Sequence, residues 1–216
     1  MKTILFLTVF FVLTGSIRPA KISLQLHQPI QYDNKFITMQ NDIYSRMNAI
    51  YSAANLFHIN PRILSVIIFT ERYLNYSFLD NMMDFLLLDF GINASVGFAQ
   101  VKFNTAKWIE QQINSKSGRT YFSKEILKKI PLSKTNSELK SRLENDSLNI
   151  LYAAGDLAVI IKKWKSTKQD IDIDVPLLAT LYSHGYMSPT HKVEINTFAK
   201  KAEEFYNSKN VLEKIK

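Results

Sequence analysis

Glu71 is the residue of this chain whose type and position point most directly to chemistry. A helix is predicted from Pro61, with Asn60 as its N-cap. Glu71 is the next position on the apolar face formed by Ile63, Leu64, Ile67 and Ile68. Aliphatic surroundings disfavour an ionised carboxylate, so we expect the pKa of Glu71 to rise, as a general acid near neutral pH requires. The structural alternative is a helix-end glutamate that turns to solvent or pairs with Arg62 or Arg72.

Two later segments carry polar residues suited to a binding pocket. The segment "GINASVGFAQVKFNTA" contains Ser95, Gly97 and Gln100, and "LLATLYSHG" contains Tyr182. Ser95 and Gln100 offer donors and acceptors for a polar ligand, and Gly97 permits a tight turn. The Tyr182 hydroxyl, pointing into a cleft, would orient the acid or an N-acetyl group of the ligand. Ordinary loop, cap and core roles are the alternatives for these four residues.

Together with "NPRILSVIIFTERY" and "NDSLNILYAAGDLA", these segments resemble the soluble lytic transglycosylase and goose-type lysozyme group of the lysozyme-like superfamily. In that family a helix ends in the catalytic Glu, and a Ser-x-Gly-x-x-Gln loop followed by a Thr-Ala helix start lines the cleft. A late Ala-Tyr-Asn-x-Gly segment closes it. The resemblance covers roughly residues 45–190. The matching positions are Glu71, Ser95, Gly97, Gln100, Thr105, Ala106, Tyr182 and Gly185, with Asn149 and Gly155 on the helix before the tyrosine.

The resemblance implies an enzyme without a cofactor that cleaves the β-1,4 glycosidic bond between N-acetylmuramic acid and N-acetylglucosamine in peptidoglycan. Glu71 would protonate the glycosidic oxygen as the bond breaks through an oxocarbenium-like state. The same carboxylate would then deprotonate the C6 hydroxyl of the sugar, which closes to 1,6-anhydromuramic acid. The implied substrate-binding residues are Ser95, Gly97, Gln100 and Tyr182.

The sequence departs from the family pattern near the tyrosine. Ser183 stands where the family usually has Asn, and Leu181 stands where Ala is common. This edge of the cleft is therefore altered, and a secreted wall-binding protein of the same fold that has lost turnover is one alternative.

A second departure concerns the spacing of the acid and the loop, since 24 positions separate Glu71 from Ser95, more than in most transglycosylases of the group. The intervening residues include Asp84 and Asp89. An inverting hydrolase needs a second carboxylate roughly 6.5 to 9.5 Å from the acid to activate water. Asp84 and Asp89 are the candidates for it, so a hydrolytic muramidase is the other alternative.

Metal chemistry is not expected from this sequence. The four histidines lack metal-ligand spacing to one another, and cysteine is absent. Trp108 and Trp164 could stack on sugar rings, but their places in amphipathic segments favour the core.

The composition predicts an all-α, lysozyme-like helical domain with an active-site cleft. Hydrophobic residues make up 46% of the chain and aromatic residues 12%, which indicates a packed globular protein rather than a disordered one. Glycine and proline number only 6 each, which disfavours a sandwich or barrel. Since no repeat, linker or low-complexity segment interrupts the pattern, we expect one domain over residues 21–216 and a monomer.

The first 20 residues are typical of an export signal, with Lys2 before an apolar core at residues 4–13 and small residues at 14–16. A core of about ten residues is shorter than the roughly twenty of a spanning helix. We therefore expect a periplasmic or extracellular protein that meets the membrane only through this signal. The net charge of +8 favours an anionic wall polymer over nucleic acid, and the expected partner is the peptidoglycan glycan strand.

Helical periodicity predicts the elements that would position these residues. A first helix is expected over residues 39–57, and the helix from Pro61 should end at 73–76. Further expectations are a short buried acidic helix within 77–94, a helix from 104 or 105 to 114 followed by a break around Gly118, and a long central helix over 147–165. A short helix opened by Asp174 and Pro176 should stop at Gly185, and an amphipathic stretch should follow over 191–206.

Overall fold

The structure, a computed structural model, describes residues 33–75, 94–208 and 210–215. The chain divides into a unit of residues 1–31 and a unit of residues 32–216, and every described residue belongs to the second. The predicted export signal lies outside the described residues. So do residues 77–93 of the predicted acidic helix, with Asp84 and Asp89.

Helices dominate the described residues, in agreement with the predicted all-α class. The helices are α1 (Asn34–Ser45), α2 (Met47–Phe57), α3 (Pro61–Asn75), α4 (Phe103–Asn114), α5 (Lys116–Tyr121), α6 (Lys124–Lys129), α7 (Asn136–Glu144), α8 (Asp146–Trp164), α9 (Val175–His184) and α10 (Thr197–Asn207), with a 3-10 turn at Ile171–Ile173. Two short antiparallel strands, β1 (Ser95–Val96) and β2 (Val101–Lys102), form the only sheet of the described part. None of the described helices combines the length and apolarity needed to cross a membrane.

Helix α8 is the centre of the core, as its long apolar pattern predicted. Asn145 caps it by accepting a hydrogen bond from the Leu148 amide at 3.0 Å. Residues 149–160 are all buried, because α2, α4 and α7 pack around this helix. A polar side chain in this stretch is therefore largely desolvated.

The predicted first helix over residues 39–57 is wrong as a single helix, because the chain breaks it at Arg46. Arg46 has φ −111° and ψ 13°, which ends α1 and begins α2. Its side chain forms an ion pair with Asp146 at 2.6 Å and lies over the Phe98 ring, 4.3 Å from the ring centroid. No glycine or proline marks this break, so periodicity alone could not place it.

The remaining differences concern helix ends and short helices. The break after α4 is the single residue Ser115, and Gly118 lies inside the next helix, α5. There a Cβ would lie 2.2 Å from the Gln112 and Ile113 carbonyl oxygens, so the glycine permits this close contact. The last helix begins at Thr197, six residues later than the predicted amphipathic stretch, and α6 and α7 were not predicted.

Candidate active site

A pocket lies where α3, β2, α4, α8 and α9 meet, and Glu71 is one of its walls. Its cavity volume is about 20 Å³, which is room for about one water molecule. The residues that line it are Glu71, Gln100, Val101, Lys102, Thr105, Asp156, Tyr182 and Ser183. These residues come from five elements and the β1–β2 turn, so tertiary packing alone assembles the pocket.

The end of α3 is fixed by the buried neighbours of Glu71. On one side the Thr70 hydroxyl donates to the Val66 carbonyl at 2.8 Å. On the other side Arg72 donates to the Phe98 carbonyl at 3.2 Å and forms an ion pair with Asp42 of α1 at 2.5 Å. Both neighbours are buried while Glu71 is half-buried, so the helix presents this carboxylate to the pocket.

Arg62, one of the two arginines considered as a partner for Glu71, is engaged elsewhere. It lies near the start of α3 and donates to carbonyl groups close to the C-terminus, among them those of Tyr206 at 3.0 Å and Ser208 at 2.8 Å. Arg62 therefore ties α3 to the end of the chain rather than to the pocket.

Gly97 shapes the β1–β2 turn and does not line the pocket. Its φ is +75°, and a Cβ here would lie 2.2 Å from the Leu143 carbonyl oxygen and 2.6 Å from the Asn149 side chain. Asn149 closes the turn from α8, since its Nδ2 donates to the Val96 carbonyl at 2.8 Å and its Oδ1 accepts from the Ala99 amide at 2.6 Å. The role of Gly97 in this structure is thus a backbone one.

Ser95 and Gln100 lie at the two ends of this turn. Ser95 pairs with Lys102 in the two-stranded sheet and is not part of the pocket lining. Gln100 lines the pocket, and its left-handed backbone, with φ +54°, lets its side-chain amide donate to the Gly97 carbonyl at 2.9 Å. The motif therefore contributes one polar side chain to the pocket.

Tyr182 is buried like a core residue and also reaches the wall of the pocket. It is 9% exposed and lines the pocket, and its hydroxyl donates to the Ala99 carbonyl at 2.7 Å. Burial raises the pKa of Tyr182 well above its usual range, with smaller contributions from the charges of Glu71 and Asp156. Tyr182 therefore stays protonated and holds the turn against α9.

Asp156 is a pocket residue that the sequence reasoning missed. It lies in the buried stretch of α8 and is 2% exposed, and its Oδ1 has no hydrogen-bond partner in the described part of the chain. Burial raises its pKa from the ordinary 3.8 to about 8. The available signal was an aspartate in the middle of the apolar run "LYAAGDLAVI".

The remaining polar groups of the lining are a cation and hydroxyls. Lys102 donates from Nζ to the Ser183 carbonyl at 3.2 Å, which joins β2 to the end of α9. Thr105 lies in the first turn of α4 and contributes to the same wall. Among the described residues, no group of three or more histidine, aspartate or glutamate side chains could hold a metal ion.

The tryptophans lie away from the pocket lining. Trp108 stacks on Tyr186, with ring centroids 5.1 Å apart, and Trp164 is buried, with its indole N–H donating to the Met187 carbonyl at 2.9 Å. Trp164 is a core residue, as its amphipathic segment indicated, whereas Trp108 is only half-buried.

No family model, curated protein or solved structure matches this chain. A half-buried carboxyl, a buried neutral acid and a lysine around one small opening can bind a polar ligand and transfer a proton to it.

Proposed function

We propose that this protein is a lytic transglycosylase that cleaves the β-1,4 bond between N-acetylmuramic acid and N-acetylglucosamine in peptidoglycan. One observation supports the proposal above the others. Glu71 shares a pocket with Gln100, Thr105 and Tyr182, three further positions of the lysozyme-like motif set that lie far from it along the chain. In this proposal the chain has a lysozyme-like fold, and export brings it to its substrate.

The reaction needs one carboxyl that acts twice. Protonated Glu71 gives its proton to the glycosidic oxygen as the bond from that oxygen to C1 of N-acetylmuramic acid breaks. The leaving sugar departs with a new hydroxyl group. The ionised carboxylate of Glu71 then takes the proton of the C6 hydroxyl, whose oxygen bonds to C1. The product is a 1,6-anhydro ring, Glu71 is protonated again, and no water is consumed.

The charge state of Asp156 makes it unsuited to be the second carboxylate of a hydrolase. A hydrolase of inverting type needs an ionised second carboxylate to activate water. Within the described residues Asp156 is the second carboxyl of the pocket, and burial keeps it protonated up to about pH 8. A neutral acid is a poor base, so it does not fill that role near neutral pH.

Mass spectrometry of the soluble products from purified peptidoglycan tests the proposal. We expect the wild-type protein to release fragments that end in 1,6-anhydromuramic acid and Glu71→Gln to lower their rate by about 10² or more. Glu203→Gln is the matched control, because Glu203 is an exposed glutamate of α10. It should leave the rate unchanged.

Other product patterns would lead to other functions. Reducing-end muramic acid would mean that water is the acceptor and that the protein is a hydrolytic muramidase. Binding to insoluble wall without products from several wall types would support a wall-binding protein. Equal release by wild type and Glu71→Gln would show that Glu71 is not the acid.

A further inference from the structure

Asp156 has no structural explanation in the packing of α8. It caps no helix, forms no ion pair, and its Oδ1 accepts no hydrogen bond in the described part of the chain. A buried carboxyl group without a partner destabilises a folded protein, and an apolar residue would suit this helix better. The hydrogen bonding of an unsatisfied polar group at a pocket wall is completed by an ordered water or by a ligand.

The groups that share the pocket with Asp156 come from four other elements, and two of these groups have hydrogen bonds to backbone carbonyls. Tyr182 of α9 donates to the Ala99 carbonyl, and Lys102 of β2 donates to the Ser183 carbonyl. Glu71 of α3 and Thr105 of α4 complete the surrounding wall. A ligand that enters this pocket therefore meets Asp156 as an acid with hydrogen-bonding capacity still available.

We infer that Asp156 is a second substrate-binding acid of this pocket, whose carboxyl O–H donates a hydrogen bond to an acceptor oxygen of the bound glycan. This inference rests on the proposed function. A protonated carboxyl group has one O–H donor, and the sugars offer N-acetyl carbonyl and hydroxyl oxygens as acceptors. A neutral donor also adds no second negative charge beside Glu71, so it does not oppose the ionisation of Glu71 after the first proton transfer.

Two substitutions of Asp156 distinguish the effect of its hydrogen-bond donor from the effect of its side-chain volume. Asparagine keeps a donor of the same shape and cannot ionise, whereas leucine removes the donor at similar size. Binding is measured by calorimetry in the Glu71→Gln background, which prevents turnover. The ligand is a soluble tetrasaccharide of alternating N-acetylglucosamine and N-acetylmuramic acid.

At pH 6 we expect the added Asp156→Leu change to weaken binding about 10-fold or more, and the added Asp156→Asn change to weaken it by no more than about threefold. Between pH 6 and pH 9 the affinity of the protein with Asp156 should fall, because burial sets the pKa of this carboxyl to about 8. The affinity of the Asn variant should not follow this fall. Circular dichroism and melting temperature establish that each variant is folded.

The result distinguishes failure of this inference from failure of the proposed function. Glu71→Gln and its two double variants with Asp156→Leu or Asp156→Asn could all bind with the same affinity and pH dependence while the wild type cleaves peptidoglycan. In that case Asp156 does not contact the glycan, and the proposed function stands. If the wild type cleaves nothing and Glu71→Gln binds no tetrasaccharide, both are overturned. Where turnover is present but binding is too weak for calorimetry, kcat/KM of the two single Asp156 variants decides in the same way.

Discussion

Replacing Asp156 by asparagine should make the folded protein more stable, and by an amount that grows with pH. Burial raises the pKa of Asp156 to about 8 in the folded protein, against 3.8 for an ordinary aspartate. Below pH 3.8 the carboxyl is protonated in both states and contributes no pH dependence. Between these two values the unfolded chain releases the proton and the folded chain retains it, so the free energy of unfolding falls as pH rises. Above about pH 8 both states are ionised and the loss is complete.

The magnitude follows from the difference between the two pKa values. Each pH unit in this window lowers the free energy of unfolding by about 1.4 kcal/mol, so the loss at pH 7 is about 4 kcal/mol relative to acid. Asparagine does not titrate. The stability advantage of Asp156→Asn over the wild type should therefore increase by about 3 kcal/mol between pH 5 and pH 7 and level off above pH 8.

Urea unfolding at pH 5, 6, 7 and 8 measures the free energy of unfolding of each protein. Subtracting the wild-type value from that of Asp156→Asn at each pH removes the contributions of all other groups. Asp170→Asn is the matched control, since it makes the same change at an exposed position. An advantage for Asp156→Asn that stays constant from pH 5 to pH 8 would refute the reasoning. It would mean that Asp156 is not held as a neutral acid.

Four further substitutions, one of them a comparison site, test the architecture around the pocket by urea unfolding. Gly97→Ala should lower the free energy of unfolding by more than about 3 kcal/mol, because the added methyl group would lie 2.2 Å from the Leu143 carbonyl oxygen. Gly185 has φ +93° but open space around its Cβ position, so Gly185→Ala should lower the free energy of unfolding by only about 1 kcal/mol. Equal losses at Gly97 and Gly185 would contradict the close contact between Gly97 and the Leu143 carbonyl. Asn149→Leu should cost about 2–4 kcal/mol, since it removes two buried hydrogen bonds to the turn; a neutral result would show that the turn holds without them. Tyr182→Phe should cost about 1–2 kcal/mol through loss of the bond to Ala99, and an unchanged stability would argue against that bond.

Much of the helical framework could be predicted because its signals are local. Pro61 and the apolar repeat after it locate α3, and Gly185 marks the end of α9. The break at Arg46 could not be predicted in this way. It coincides with an ion pair to Asp146, 100 positions further along the chain, and no local pattern records that contact.

The same distinction between local and tertiary signals decides which site residues could be predicted. The position of Glu71 at the end of an apolar face is a helix property, so the sequence pattern predicted that it would be half-buried. Ser95 and Gly97 match the same loop motif as Gln100, yet only Gln100 lines the pocket, because strand pairing and the close contact with α7 decide where each residue lies. The burial of Asp156 at the pocket wall could not be predicted, because it depends on which helices pack around α8 in the tertiary structure.

The different burial of the two acids gives each a different role in the proposed reaction. A general acid that becomes a base must release and recover a proton in every turnover, so it needs contact with the ligand and an accessible charged form. Glu71, half-buried at the end of α3, meets that requirement. Asp156, 2% exposed in the middle of α8, is strongly disfavoured as an anion and suits a constant donor instead. If the roles were exchanged, Asp156→Asn would abolish cleavage and Glu71→Gln would only weaken binding, so the same two variants test the assignment of both acids.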